Sequence, residues 1–365
     1  MRKNLQAIYI GIILVLMLIP ILFFNTKDDI SIKENRTLAK KPEFNEKIFS
    51  SYDSYIQDRF GGRNKFVKLA NIIDYQVLNK RILNERAFKG KNNFFYLIEY
   101  GDGYNIMDFY KKNLMTEKEL NEFEENIKNT IEWCKNQNIN YLFVIAPNKH
   151  SVYPENYLSQ RPEGISRIDQ LISIMDKLNA EYIYPKDLLI EKKTQTDIPL
   201  YYETDTHWNP LGAYYVFKEI HDKLNKFFPD VSFPEIEYDT KVEYSYDKGD
   251  IIPMLGIDNA ICTRPELNPK NSSFEDYYEC IETKNRFKFL KNKQFKNLPK
   301  AIVFGDSFLF SIEPYLPTVF SETQLNWTHF CDEQKEYVLK NKPDILIFEK
   351  VERVAPWFVD VKSAD

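Results

Sequence analysis

Three side chains carry the chemistry that this sequence offers. Ser307 stands in AIVFGDSFLF, residues 301–310, and Asp205 and His207 stand in YYETDTHWNPLGAYYVFKEI, residues 201–220. A serine hydroxyl at the end of an apolar run becomes a nucleophile when a base takes its proton. A carboxylate two positions from a histidine can hold one imidazole nitrogen, which fixes the tautomer and leaves the other nitrogen to accept that proton. A plainer reading also fits: Asp306 or Ser307 caps the helix that follows, and His207 is a loop bystander. On the tripeptide Gly-Asp-Ser alone, both readings stand. A metal site would call for more ligands near His207 than the sequence supplies.

The elements needed to present these groups are legible. AIVF reads as a short buried strand, Gly305 as the site of a tight turn, and Phe308-Leu309-Phe310 as the start of a helix. In such a sheet, ligands sit outside the carboxyl ends of the strands, which is where Ser307 falls. Asn209 is placed to cap a second helix with Pro210 in its first position, and Ala213, Phe217, Ile220 and Leu224 recur on its buried face. Thr116 and Glu119 have capping-box spacing, followed by Leu120, Phe123, Ile127, Ile131 and Cys134 at helical intervals. YLFVI at 141–145, EYIYP at 181–185 and DILIF at 344–348 are further buried strands, with a helix face of Ile168, Leu171, Ile172, Met175 and Leu178 between the first two. Helices alternating with continuous apolar strands predict an α/β fold of three layers, helix–sheet–helix, with a mostly parallel sheet.

Of 365 residues, 43% are hydrophobic and 15% aromatic, ample for a core. A net charge of −5 excludes a nucleic-acid partner, which demands a basic surface. Residues 1–6 read as a cytoplasmic N-terminus and 7–24, AIYIGIILVLMLIPILFF, as one transmembrane signal anchor in the lipid bilayer. At about 1.5 Å per residue this run reaches roughly 27 Å, enough for the hydrocarbon layer. Arg2 and Lys3 predict the N-terminus inside and the rest of the chain extracytoplasmic, single-pass at the cell membrane. Residues 25–110 read as an extracytoplasmic arm broken at Gly61-Gly62, 111–365 as the catalytic domain, and 229–300 as a long surface excursion with minor strands or hairpins. Cys262 and Cys280 share that excursion, so a disulfide and two separate thiols both remain open. His150 could line the site, His221 reads as a packed helix residue, and His329 in NWTHF is the rival base.

TDTHWNPLGAYY together with VFGDSF resembles the SGNH-hydrolase-like polysaccharide O-acetyltransferases, the group of the alginate O-acetylation proteins and their DHHW relatives. ENRTLAKKPEF, DRFGGRN, APNKHSVYPENY, KGDIIPMLGI and KPDILIFEKVER stand in the order that group shows, and the histidine block precedes the serine block as in its permuted arrangement. The resemblance implies a triad of Ser307, His207 and Asp205 and no cofactor. It implies transfer of acetyl groups through a serine ester onto hydroxyls of an extracytoplasmic or cell-wall polysaccharide. A membrane-bound O-acyltransferase would be the partner that delivers the acetyl group. Asn148 and Gly256 are the oxyanion candidates, Lys149 and Tyr153 are candidates for sugar contact or loop support, and Glu349, Glu352 and Arg353 read as a structural ion-pair set beneath the site. A carbohydrate esterase with the same triad and a non-catalytic scaffold of polysaccharide export are the alternatives.

Overall fold

The computed structural model describes residues 10–11, 13–15, 18, 22–26, 30–31, 36–42, 48–78, 80, 86–98, 105–246, 249–255, 257 and 260–358. Its centre is a seven-stranded sheet whose strands we label β1 (Asn140–Ala146), β2 (Tyr182–Ile183), β3 (Tyr278–Lys284), β4 (Phe287–Asn292), β5 (Lys300–Phe304), β6 (Glu322–Asn326) and β7 (Ile345–Val351). The order across the sheet is β2-β1-β7-β5-β6-β4-β3. The five strands from β2 to β6 run parallel, and β4 and β3 add an antiparallel hairpin at one edge.

The parallel strands are apolar throughout because both their faces are covered. Leu142, Val144, Ile345 and Ile347 point into one buried cluster, and Phe143, Ile145, Leu346 and Phe348, their neighbours in sequence, point into the other. Helices α1 (Glu117–Asn136) and α2 (Arg167–Lys177) close the second face, and both begin in capping boxes, at Thr116 and at Ser166. Helix α3 (Pro210–Phe227) closes the first face with Ala213, Phe217, Ile220 and Leu224 buried, and Asn209 caps it through the N–H groups of Leu211 and Gly212. Three layers follow, as the periodicity predicts.

Two expectations need correction. Residues 229–300 do hold hairpins, Tyr238–Ser245 pairing antiparallel with Cys262–Pro269, but β3 and β4 are no part of a surface excursion, since they complete the central sheet. Tyr238–Ser245 and β3 have no buried residue, so they lack the apolar runs that mark the parallel strands, which are covered on both faces. Residues 86–98, assigned to the arm, pack into the body. Ala87–Lys89 pairs with Phe95–Leu97, Phe88, Phe95 and Tyr96 are buried, and the Phe95 N–H donates to the Glu203 carbonyl at 2.7 Å. The arm does break at Gly61-Gly62, between helices Ile48–Arg59 and Arg63–Ile72.

Cys262 and Cys280 are separate thiols, the first buried and the second exposed. Of the apolar run at 7–24, only residues 10–11, 13–15, 18 and 22–24 are described; those from 10 to 22 are helical with exposed apolar side chains. Among the described residues no helix is long and apolar enough to cross a membrane.

Candidate active site

His207 bridges two partners, Asp205 and Ser307, that the sequence separates by 102 positions. Its Nε2 lies 2.7 Å from Ser307 Oγ, and its Nδ1 lies 2.5 Å from Asp205 Oδ1. A carboxylate only accepts, so Nδ1 carries the ring proton and Nε2 is the bare acceptor facing the serine hydroxyl. Ser307 is therefore no helix cap. The helix has no side-chain cap at all; Asp306 holds the turn before it, its Oδ1 accepting the Phe308 N–H at 2.9 Å and its Oδ2 the Val351 N–H at 2.8 Å.

Asp306 thus clamps the end of β5 to β7 and leaves the next side chain standing above the sheet. The following helix, α4 (Leu309–Ile312), is a single turn. Gly305 is required by close approach: a Cβ there would lie 2.9 Å from both Glu349 Oε2 and a Leu309 methyl. Along 305–308 the Gly305 N–H goes to the Asn326 carbonyl, that of Asp306 to Glu349 and that of Phe308 to Asp306. The Ser307 N–H remains, and it is the backbone donor this turn offers to a developing oxyanion.

The histidine loop, 201–209, is held from three sides. Asp205 Oδ1 also accepts the His207 N–H at 3.0 Å, while Oδ2 accepts the Asp250 N–H at 3.0 Å. Asp250 in turn accepts the Thr206 N–H at 2.8 Å and the Thr206 hydroxyl. Gly249 makes this interlock possible, with φ at +50° and a virtual Cβ 2.5 Å from the Thr204 carbonyl oxygen. Beneath the loop, Lys149 donates to the carbonyls of Tyr202, Glu203 and Asp205 at 3.1, 3.2 and 2.5 Å. Asp205, His207 and Asp250 could each offer an atom to one cation, but a cation there would displace the Nδ1–H from Asp205 and dismantle the triad.

Trp208 welds the two loops together. It is fully buried, its indole N–H donates to the Phe308 carbonyl at 2.9 Å, and its ring meets Phe308 edge-on at 5.1 Å. Trp208→Phe should keep the apolar contact, orphan that carbonyl and cost on the order of 1–3 kcal/mol. Urea unfolding of the full chain measures it, and an unchanged midpoint would refute the weld.

Electrostatics set the resting state. Burial works against charge on Asp205, but the His207 hydrogen bonds and charge outweigh it and hold the carboxyl well below the usual range. Burial likewise disfavours protonated His207, and the Asp205 contact with the Asp250 charge overcomes this and raises the imidazole above 6.5. A general base must be neutral, so acetyl turnover should rise with pH through a midpoint above 6.5 and plateau beyond it. A pH–kcat profile tests this; a midpoint below 6.5 would contradict it.

The remaining sequence candidates are distributed as follows. Lys149 and Tyr153, considered for sugar contact, are 5% and 7% exposed. The Tyr153 hydroxyl accepts the Leu200 N–H at 2.8 Å, and burial pulls Lys149 down to about 8, so both brace the loop from below. Asn148 is buried, with Oδ1 held by Arg353 at 3.1 Å, its N–H given to Glu352 at 2.8 Å and its Nδ2 without a partner. Gly256 lies outside the described residues. Glu349, Glu352 and Arg353 are structural, each tied to the backbone or side chains around Asp306 and Asn148 rather than to one another. His150 is buried against Phe109 and Tyr157, and His221 is buried on α3. His329 Nδ1 pairs with the Trp357 carbonyl at 2.9 Å, while the Ser307 hydroxyl already faces His207. Sequence reasoning missed Asp250, for which the only signal is the Gly-Asp pair in KGDIIPMLGI.

Ser307 opens into a cleft of 1210 Å³ whose wall includes Arg286, Lys288, Phe310, Trp327 and Trp357.

No curated protein sequence matches the chain. Among solved structures, PatB1 of Bacillus cereus superimposes with a TM-score of 0.54 at 16% identity, covering 68% of this chain and 94% of that one. The same protein with a sulfonyl adduct gives 0.56 at 14% identity over 76% and 97%. The O-acetyltransferase domain of Pseudomonas putida AlgJ gives 0.50 at 15% identity over 77% and 95%. At these identities the likeness establishes the fold. Residues 107–309, which contain Asp205, His207 and Ser307, match the model of the SGNH hydrolase-like domain of acetyltransferase AlgX. The chain belongs to that SGNH hydrolase-like acetyltransferase family.

Proposed function

We propose that the chain is a membrane-anchored O-acetyltransferase that passes an acetyl group through Ser307 onto hydroxyls of an extracytoplasmic polysaccharide. The observation that carries this reading is the Ser307–His207–Asp205 relay at 2.7 and 2.5 Å. His207 Nε2 takes the Ser307 proton as Oγ bonds to the acetyl carbon. The Ser307 N–H holds the oxyanion, and the donor's leaving oxygen departs with the proton from Nε2. A sugar hydroxyl then gives its proton to Nε2 and attacks the serine ester, and Ser307 Oγ recovers that proton as it leaves. Family membership supports acetyl chemistry, and the uncharged run at 7–24 behind Arg2 and Lys3 supports the anchor. In that topology the acetyl group must be supplied from across the membrane, which calls for a membrane-bound O-acyltransferase as donor partner. Tethering to the same bilayer raises the effective concentration of that donor at Ser307.

An esterase would use the same three residues with water in place of the sugar. Full-length protein incubated with an activated acetyl ester and oligosaccharides should yield acetylated sugar above the acetate released without acceptor. Free acetate alone, whatever oligosaccharide is supplied, would replace the transferase reading with the esterase.

A further inference from the structure

The two helices that follow the uncharged run at 7–24 bury almost nothing. Among the described residues from 48 to 78, only Arg59 and Gly61 are buried. Helix Ile48–Arg59 exposes Phe49, Tyr52 and Ile56, and Phe60 follows, also exposed. Helix Arg63–Ile72 continues through a π turn, Ile73–Val77, and exposes Phe66, Leu69, Ile73 and Val77, each between 42% and 72%. In both helices these residues recur at three- and four-residue spacing, so each set shares one face. Phe60 and Phe66 meet edge-on at 6.2 Å and join the two stripes. Lys65 and Lys68 are exposed off the second stripe. An apolar face of this extent is unfavourable in water unless something covers it, and the catalytic body does not.

The position of that face says what covers it. Buried Arg59 grips the exit of the apolar run: its carbonyl accepts the Asn25 N–H at 2.9 Å, and its guanidinium donates to the Asn25 carbonyl at 3.2 Å. Phe24 meets the Tyr55 ring at 5.7 Å. Gly61 presses on the same segment, since a Cβ there would lie 2.6 Å from the Phe23 carbonyl carbon. The two stripes therefore start on either side of a contact with the last residues of the run. Where the run crosses a bilayer, its outer end lies at the headgroups, and stripes pinned to that end lie at the same depth. Apolar side chains on one face with lysines off it suit acyl chains below and lipid phosphates above.

We propose that helices Ile48–Arg59 and Arg63–Ile72 lie in the membrane interface, with Phe49, Tyr52, Ile56, Phe66, Leu69 and Ile73 seated among the lipid acyl chains. The arm then holds the catalytic body against the bilayer instead of letting it swing on a tether. The inference rests on the anchor proposed above, and its test separates the two. Full-length protein carrying the fluorescent residue dansylalanine at one position is reconstituted in nanodiscs of phosphatidylglycerol and phosphatidylcholine. The lipids bear a nitroxide on the acyl chain, either just below the headgroup or at the bilayer centre. Probes in place of Phe49, Leu69 and Ile73 should lose at least about half their emission to the shallow nitroxide and much less to the deep one. A probe in place of Lys118, exposed on α1, should be quenched by neither. Leu69→Asn with Ile73→Asn should cut shallow quenching at Val77 at least about twofold, at an unchanged unfolding temperature because both side chains are exposed. Stripe probes that stay bright would overturn the proposal. Solvent-like emission would then mean a bare face, and blue-shifted emission a face covered by protein, whether a second copy or the donor acyltransferase. A probe in place of Leu14, within the run, reports on the anchor alone and should respond to the deep nitroxide. Quenching there without quenching on the stripes sinks only the interfacial arm, and the reverse result removes the anchor and keeps the surface.

Discussion

Ser307→Ala is expected to abolish acetyl transfer, with a loss of at least about 10⁵-fold in kcat and an unfolding midpoint that does not move. The size follows from what the oxygen does. It lies 2.7 Å from His207 Nε2, the atom that takes its proton, and alanine puts no nucleophile in its place. The silence in stability follows from what the oxygen does not do. Ser307 is half-buried, and the strand end is clamped by Asp306 and Glu349 instead. Steady-state transfer from an activated acetyl ester, paired with thermal unfolding, checks both halves. A loss below about a hundredfold would mean that the acetyl group never resides on this serine.

Asp205→Asn should lower kcat by roughly three to four orders of magnitude. The amide matches the carboxylate in shape and can still accept one of the two backbone N–H groups that Asp205 now holds. Its NH₂ group, however, would donate to His207 Nδ1 and drive the ring proton to Nε2, where a donor faces Ser307 instead of an acceptor. The substitution also removes the charge that raises His207, so any residual activity should titrate at lower pH than in the unsubstituted protein. Measuring kcat across pH for both proteins tests the two effects together. A mild loss with an unshifted profile would show that Asp205 only supports the loop.

Much of this site can be read from residues alone because its positioning devices are local. Asn209 and Pro210 announce the start of α3, and with it the loop that carries Asp205 and His207. AIVF announces β5, and with it the place of Ser307. What escapes is what depends on distant partners. Asp250 stands forty-five positions from Asp205, and nothing around it signals that its N–H and carboxylate will grip the triad loop. Lys149 has the composition of a surface residue, but three carbonyl acceptors hold it in the interior. Strand β6, ETQLN, has no apolar run, yet Thr323, Gln324 and Leu325 are all buried between β5 and β4. Its neighbours supply the hydrogen bonds that its side chains do not advertise. The cleft wall of Phe310, Trp327 and Trp357 is assembled from three separate segments, which no local pattern links.

The most direct test of a nucleophile at Ser307 activated by His207 is covalent. Full-length protein treated with a serine-directed fluorophosphonate should carry one adduct, located by peptide mass spectrometry on Ser307, and His207→Ala should carry none over the same interval. An adduct elsewhere, or equal labelling of Ser307 without His207, would contradict the relay on which the account depends.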